Sequence, residues 1–452
     1  MSTQMDLAIL NGQIVIPGNG VMRANVYVKD GKISAIGEEI LPAKETVDAA
    51  GRYVAPGIID PHTHVGLMAP MAVEAKTECG AALIGGVTTV GDFIGGPKPH
   101  SETFAALKKD FNENGYTDLI PHLIINSEEQ LAEMQTYIKE YGVKSFKIYL
   151  NGIPGLIPWV GDEFILRVFD EIKKSGEDCI LCAHTENPGM VAHALAKMQK
   201  EIPGKDMNLE KFSATHPPIC EGEAVWRICR LAEYAQSRLY IVHLFSYEGV
   251  EMLKKIRTHN PYVSVETTSP YLGCDFNDAN GWALKMEPPF QGPDSKEALW
   301  EGIKLGLIDT VGTDNVTLTR GEKQLDDPDF WKVFPGYAAV QHHMTVVLDE
   351  GTKRGLPIER LIEVMTKGPA EKFGVYPQKG SMHVGSDADI VIIDMEMEKK
   401  VKLEDCASRS DFSIYEGRTF KGWPVMTIKS GVIAAKDGKI VHEKPLGRMI
   451  ER

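Results

Sequence analysis

Residues 57–64 read Gly57-Ile58-Ile59-Asp60-Pro61-His62-Thr63-His64, a short apolar run that ends in an acid, a proline and two histidines spaced two apart. On an extended strand, residues two apart face the same side, so both imidazoles can reach one ion. A lone His-x-His is a weak signal, and its weight here comes from the rest of the chain. Runs of similar texture recur at Thr88 to Phe93, Asp118 to Ile125, Ser145 to Leu150, Cys179 to His184, Leu239 to Leu244, Val263 to Thr267 and Asp309 to Asp314, making eight with Gly57 to Asp60. Segments of helical periodicity lie between them: Glu74 to Leu83, Glu128 to Tyr141, Glu163 to Lys174, Glu223 to Ala235 and Ser295 to Leu305. Eight strands alternating with helices predict an α/β fold, a (β/α)₈ TIM-type barrel in preference to an open doubly wound sheet.

Outside residues 56–375 the texture is different. Leu7 to Leu10, Gln13 to Ile16, Asn25 to Lys29 and Lys32 to Ile36 read as short strands separated by Asn11-Gly12, Pro17-Gly18 and Asp30-Gly31, which are turn dipeptides. The same pattern returns in Ala388 to Asp394, Val425 to Lys429 and Val432 to Ala435, with turns at Ser430-Gly431 and Asp437-Gly438. Residues 1–55 and 376–452 are therefore expected to complete one small β-sandwich beside the barrel.

The 452 residues are 43% hydrophobic and 25% charged, which suits a folded globular protein and excludes disordered, collagen-like and coiled-coil readings. A formal charge of -14 repels phosphate backbones and anionic membranes, so nucleic acid and membrane partners are not expected. Seven scattered cysteines, an odd number in a long chain, read as reduced thiols in a cytoplasmic protein. Within that set Cys179 and Cys182 have redox spacing but stand in an apolar strand, where packing is the better reading. The start MSTQMDLAILNGQIV lacks a basic region followed by a long apolar run and no stretch approaches 18 apolar residues, so neither export nor a membrane span is expected.

Beyond His62 and His64, His184 ends the fifth run, His243 lies near the end of the sixth and Asp314 ends the eighth, all at the barrel face where active sites are built. Four imidazoles and a carboxylate are thus expected to converge. Lys147 sits inside the fourth run, where a free ammonium would be costly to bury and would repel cations. A neutral amine there could capture CO₂, and the carbamate could bridge two divalent ions. The plainer alternative is an inward lysine paired with a nearby carboxylate.

In order and spacing these residues resemble the cyclic amidohydrolases of the amidohydrolase superfamily, the hydantoinases, dihydropyrimidinases and allantoinases. The resemblance runs along nearly the whole chain. It includes Gly85-Gly86-Val87-Thr88-Thr89, Ser145-Phe146-Lys147, His184-Thr185-Glu186-Asn187, Glu221-Gly222-Glu223-Ala224, Thr313-Asp314 and Val384-Gly385-Ser386-Asp387-Ala388-Asp389. It implies a metal-dependent hydrolase that opens a small cyclic amide. His62, His64 and Asp314 would hold the more buried ion, His184 and His243 the more exposed one, and carboxylated Lys147 would bridge them. Zinc is the default for such nitrogen and oxygen ligands, with manganese, cobalt or iron as alternatives. Asp314 would serve as the proton shuttle. By resemblance the assembly is a homo-oligomer, a tetramer or dimer.

Several positions depart from that pattern. Gly152 stands where hydantoinases and dihydropyrimidinases usually carry an oxyanion-binding Tyr; allantoinases and some L-selective hydantoinases also lack it, and the Pro154-Gly155 loop and residues 360–380 most resemble the latter. Tyr149 shares a strand face with Lys147 and is expected to line the pocket. Glu287 replaces a common Ser before Pro288-Pro289, and Asn315 replaces a common His after Asp314, so both are expected to touch substrate. His342-His343 reads either as a pH-sensitive pocket element or as solvated helix surface. Rival readings are a mononuclear deaminase, against which Lys147 argues, a dinuclear lactonase or phosphotriesterase, and a non-catalytic assembly protein on the same fold. The six candidate ligands argue against the last.

Overall fold

A computed structural model describes residues 4–153 and 157–452. The Pro154-Gly155 dipeptide lies outside the described residues. The N-terminal end forms β1 (Met5–Ile16), β2 (Gly20–Lys29), β3 (Lys32–Gly37), β4 (Ala43–Asp48) and β5 (Tyr53–Pro56). The barrel comes next as β6 (Ile58–Thr63), β7 (Val87–Ile94), β8 (Asp118–Ile124), β9 (Ser145–Tyr149), β10 (Ile180–His184), β11 (Leu239–Ile241), β12 (Val263–Thr268) and β13 (Thr310–Gly312). The chain returns through β14 (Ile390–Lys400), β15 (Thr419–Lys429), β16 (Val432–Lys436) and β17 (Lys439–Ile440).

All eight barrel strands fall on the eight runs of the sequence and pair in chain order, parallel throughout. The cylinder closes between its first and last strands. Thr63 bridges Asn315, the His64 amide donates to the Asn315 carbonyl at 3.0 Å, and the Asp314 amide donates to the His62 carbonyl at 2.9 Å. The seam of the barrel therefore runs through the segments that carry three of the candidate ligands.

The surrounding helices obey ordinary rules. Asp162–Ser175 buries Ile165, Val168, Phe169 and Ile172 on one stripe, carries Asp162 and Glu163 in its first turn and Lys173 and Lys174 in its last, and stops at Gly176 with φ 70°. The expected helix over Glu128 to Tyr141 is two short ones, Glu128–Ala132 and Met134–Lys139, parted at Glu133.

The chain ends complete one unit, a nine-stranded mixed sheet whose own apolar core includes Leu7, Ile14, Val26, Ile33, Ile390 and Ile428. Pro17-Gly18, Asp30-Gly31, Ser430-Gly431 and Asp437-Gly438 lie between strands as expected. Asn11-Gly12 does not turn the chain. It is a bulge inside the continuous β1, where the pairing with β2 shifts register between Ile9 and Gly12. Asn11 takes φ 58°, and a Cβ on Gly12 would stand 2.7 Å from Val54 Cγ2. Bulge and hairpin ask for the same left-handed residue types, and the local sequence does not separate them.

Candidate active site

The strand ends bring His62, His64, Lys147, Tyr149, His184, His243 and Asp314 to the wall of one cavity of about 460 Å³. Nε2 of His62 and Nε2 of His64 each lie 3.2 Å from Oδ1 of Asp314. The ring centroids of His184 and His243 are 4.7 Å apart, and those of His62 and His243 are 5.5 Å apart. Lys147 is fully buried, its Nζ 4.3 Å from the Phe93 centroid and 4.9 Å from that of Tyr149. Among the described residues that Nζ has no hydrogen-bond partner, and neither do His62 Nε2 and His243 Nδ1. The plainer expectation of an ion-paired lysine is therefore not met.

Electrostatics derive from the burial. Loss of solvent holds His62 and His243 well below the usual imidazole pKa, leaving the neutral form that offers a lone pair to a metal. The same loss lowers Lys147 to about 8, partly offset by Asp314. Burial pushes Asp314 up, but His62, His64 and Lys147 outweigh it and bring the carboxyl down to about 2. His243 and Asp314 also hold backbone φ of 40° and 54°, a conformation that costs roughly 1–3 kcal/mol per residue and persists where the surroundings enforce it. Here the enforcing contacts are the His243 amide to Glu266 Oε1 at 3.1 Å and the Asp314 amide to the His62 carbonyl.

An unpartnered amine, imidazoles with free nitrogens and a single carboxylate together fit divalent ions and a carbamate. Cations would take the lone pairs, and conversion of the amine would replace a buried positive charge with a ligand.

A second layer of side chains holds this set. Glu266 Oε1 accepts from His62 Nδ1 at 2.7 Å, while its other oxygen accepts from the Tyr240 hydroxyl at 2.8 Å. Glu186 joins His184 Nε2 at 2.7 Å to His216 Nδ1 at 2.6 Å. Burial opposes the charge on Glu186, but the two imidazoles hold it well below the ordinary carboxylate range. Asp60 accepts from the Thr313 hydroxyl at 2.6 Å and the Thr313 amide at 3.0 Å, and so braces the barrel seam. Such partners fix ring orientation and tautomer. Sequence reasoning assigned no role to Glu266, Glu186 or His216. The readable trace of the first was an acid inside the apolar run Val263-Ser264-Val265-Glu266-Thr267.

The remaining expected contacts divide. Glu287 lines the cavity, half-buried, and Tyr149 stacks on His184 at 5.2 Å. Asn315 does not reach the cavity wall. Its Oδ1 accepts from the Ala339 amide at 2.7 Å and the Val340 amide at 3.2 Å, and its Nδ2 donates to Thr317, so its amide is engaged away from a ligand. His342 and His343 neither line the cavity of the candidate ligands nor face solvent. Both are buried at the start of the helix His343–Lys353, and burial lowers them to about 4 and about 3. Gly152 has φ 74°, and a Cβ there would come within 2.6 Å of the Ile157 carbonyl oxygen, so the backbone itself excludes a side chain from the position. Cys179 and Cys182 are buried free thiols.

The Amidohydrolase family model matches residues 53–434. An L-hydantoinase of Paenarthrobacter aurescens is 30% identical, the alignment covering 99% of this chain and 98% of that one. A D-hydantoinase of Ralstonia pickettii is 31% identical with 99% of both covered. Among solved structures, a dihydropyrimidinase from Brevibacillus agri NCHU1002 superimposes with a TM-score of 0.91 at 26% identity, covering 99% of both chains. Homology along the full length and agreement of the backbone lead to one conclusion: the chain belongs to the amidohydrolase family, in the branch of the hydantoinases and dihydropyrimidinases.

Proposed function

We propose that the protein is a metal-dependent hydrolase that opens a cyclic amide, imide or ureide to its carbamoyl or carboxylic acid. The observation that carries this reading is Lys147, an amine buried among four imidazoles and Asp314 with no acceptor among the described residues. His62, His64 and Asp314 would hold one divalent ion, His184 and His243 a second, and a CO₂-derived carbamate on Lys147 would bridge them, with zinc as the default metal.

When bound, the metal pair lowers the pKa of water toward neutrality and polarises the scissile carbonyl. Asp314 takes the proton of the attacking water on a carboxylate oxygen and returns it to the leaving ring nitrogen. Tyr149 and Phe93 form an apolar floor that excludes bulk water, and Glu287 on the wall accepts a hydrogen bond from a ring N–H or an exocyclic donor. With no side chain at Gly152, this loop supplies no phenol to the oxyanion, a feature in keeping with an L-hydantoinase-like or allantoinase-like specificity. Free thiols suit a reducing compartment such as the cytoplasm, and the family resemblance implies a homo-oligomer.

The test is a panel of hydantoins, dihydropyrimidines, imides and ureides given to the purified protein with and without a chelator, with mass-spectrometric detection of the ring-opened acid. Opening of at least one ring, abolished by chelation and restored by zinc or manganese, supports the reading. Opening that persists after full metal removal refutes it.

A further inference from the structure

Lys323 is fully buried in the short helix Arg320–Lys323, and its Nζ meets no carboxylate among the described residues. Its Nζ instead donates to three backbone carbonyls: Lys285 at 2.9 Å, Phe334 at 3.1 Å and Gly336 at 2.5 Å. Three acceptors around Nζ match the three N–H groups of an ammonium, and loss of the side chain would take that donor from the Phe334 and Gly336 carbonyls, while the Lys285 carbonyl keeps the Gly336 amide. The acceptors come from two separate segments, and each segment supplies cavity wall: Met286 and Glu287 come directly after Lys285, while Phe334 and Pro335 precede Gly336.

Further contacts join the same two segments. The Gly336 amide donates to the Lys285 carbonyl at 3.0 Å, and Lys285 sends its own Nζ to the Phe330 carbonyl at 2.8 Å. The helix bearing Lys323 is itself anchored, by a capping box between Thr319 and Glu322 and by Arg409, whose Nη1 lies 2.8 Å from Glu322 Oε2.

We infer that Lys323 is a positioning residue that sets the shape of the substrate cavity, tying the segment with Met286 and Glu287 to the segment with Phe334 and Pro335. It touches neither the candidate metal ligands nor the reacting atoms, so its effect falls on how a substituted ring is seated and not on the hydrolytic step. The inference rests on the proposed function for the identity of the substrate but not for the existence of the clamp.

The test compares the parent with Lys323→Met, which keeps the apolar stem, and with Lys323→Gln, which keeps two N–H donors on a shorter stem. Hydrogen exchange read by mass spectrometry should rise in peptides over 284–291 and 330–337 and stay unchanged over the barrel strands, with Gln intermediate. For 5-phenylhydantoin, KM should rise at least about 10-fold in the Met variant while kcat stays within about 3-fold and metal content is unchanged. If the Met variant does not fold, the Gln variant carries the same two readouts at smaller amplitude. Unchanged exchange in both segments, or a fall in kcat with KM unchanged, overturns the inference. A parent that opens no ring would defeat the proposed function, and the exchange data would still decide the clamp.

Discussion

Asp118, Asp387 and Asp389 come together at the N-terminal end of the barrel and His62, His64 and Asp314 at the C-terminal end, and each trio is buried and spaced closely enough to hold a cation. At the lower cluster Lys379 Nζ lies 2.6 Å from Asp389 and 2.8 Å from Asp387 and also contacts Asp118, while Lys429 Nζ lies 2.7 Å from Asp118. Lys32 reaches Asp387 from the surface. Three carboxylates meet three ammoniums, and the cluster balances its own charge. At the upper cluster one carboxylate oxygen lies 3.2 Å from each of two imidazoles, and Lys147 Nζ has no acceptor among the described residues. Burial of ionisable groups alone does not mark a site. What separates the staple from the site is whether the polypeptide supplies every partner.

Lys147 should give the strongest response. Replacement by Ala should abolish ring opening, and added short carboxylates should restore part of it, as measured by product formation with and without propionate. Full activity in the plain variant would place the upper cluster in the same class as the lower one. Next in size, Asp314→Asn should keep most of its metal yet lose at least about 10³-fold in kcat, because an amide can offer an oxygen but cannot shuttle a proton. Elemental analysis beside steady-state rates separates these two properties, and a variant within tenfold of the parent would assign the proton to another group.

The lower cluster should answer in stability. Lys379→Met leaves buried carboxylates without their cation and should cost about 3–5 kcal/mol in denaturant unfolding, with metal content unchanged in the folded fraction. The cluster also has a pH signature. Despite burial, Lys379 holds Asp387 and Asp389 below the usual carboxylate range, so their contribution is present above about pH 4 and is lost as the pH falls through their folded values. The neighbouring carboxylates raise Lys379 well above its ordinary value in spite of burial, so its contribution is full below about pH 10 and is lost as the pH rises further. Thermal unfolding of the parent between those limits should show a plateau that Lys379→Met shortens on the acid side.

Glu287→Ser should act more weakly than any of these. A lost charge-assisted hydrogen bond is worth about 1.5–3 kcal/mol, or roughly 10 to 150-fold in the preference for the best substrate over unsubstituted hydantoin. Equal losses across a ring panel would remove Glu287 from specificity.

The barrel was legible because its signal is periodic and repeated: eight apolar runs between amphipathic helices, with chemistry at their C-terminal ends. The six candidate ligands stood out because four histidines and an aspartate at the ends of apolar runs, with a lysine inside another, have few other uses. Roles defined by a partner distant in sequence were less visible. Glu266 reads as an odd acid in a strand until His62, about 200 positions away in sequence, is placed 2.7 Å from it. Asn315 was expected at the substrate because it stands next to Asp314, yet the seam of the barrel turns its amide toward Ala339 and Val340. The histidine pair at 342–343 reads as polar surface, and only the packing of its helix buries it. Lys323 carries no motif whatever, since its acceptors are backbone carbonyls that no residue type announces.

The contrast between the two clusters is tested at its root by the metal content of the active protein, measured by elemental analysis after purification in zinc-supplemented, chelator-free buffer and extensive dialysis. The parent should hold close to two divalent ions per chain, Lys379→Met the same number, and Lys147→Ala clearly fewer. A parent that opens rings at full rate while holding no stoichiometric metal would contradict the assignment of the upper cluster as a metal site.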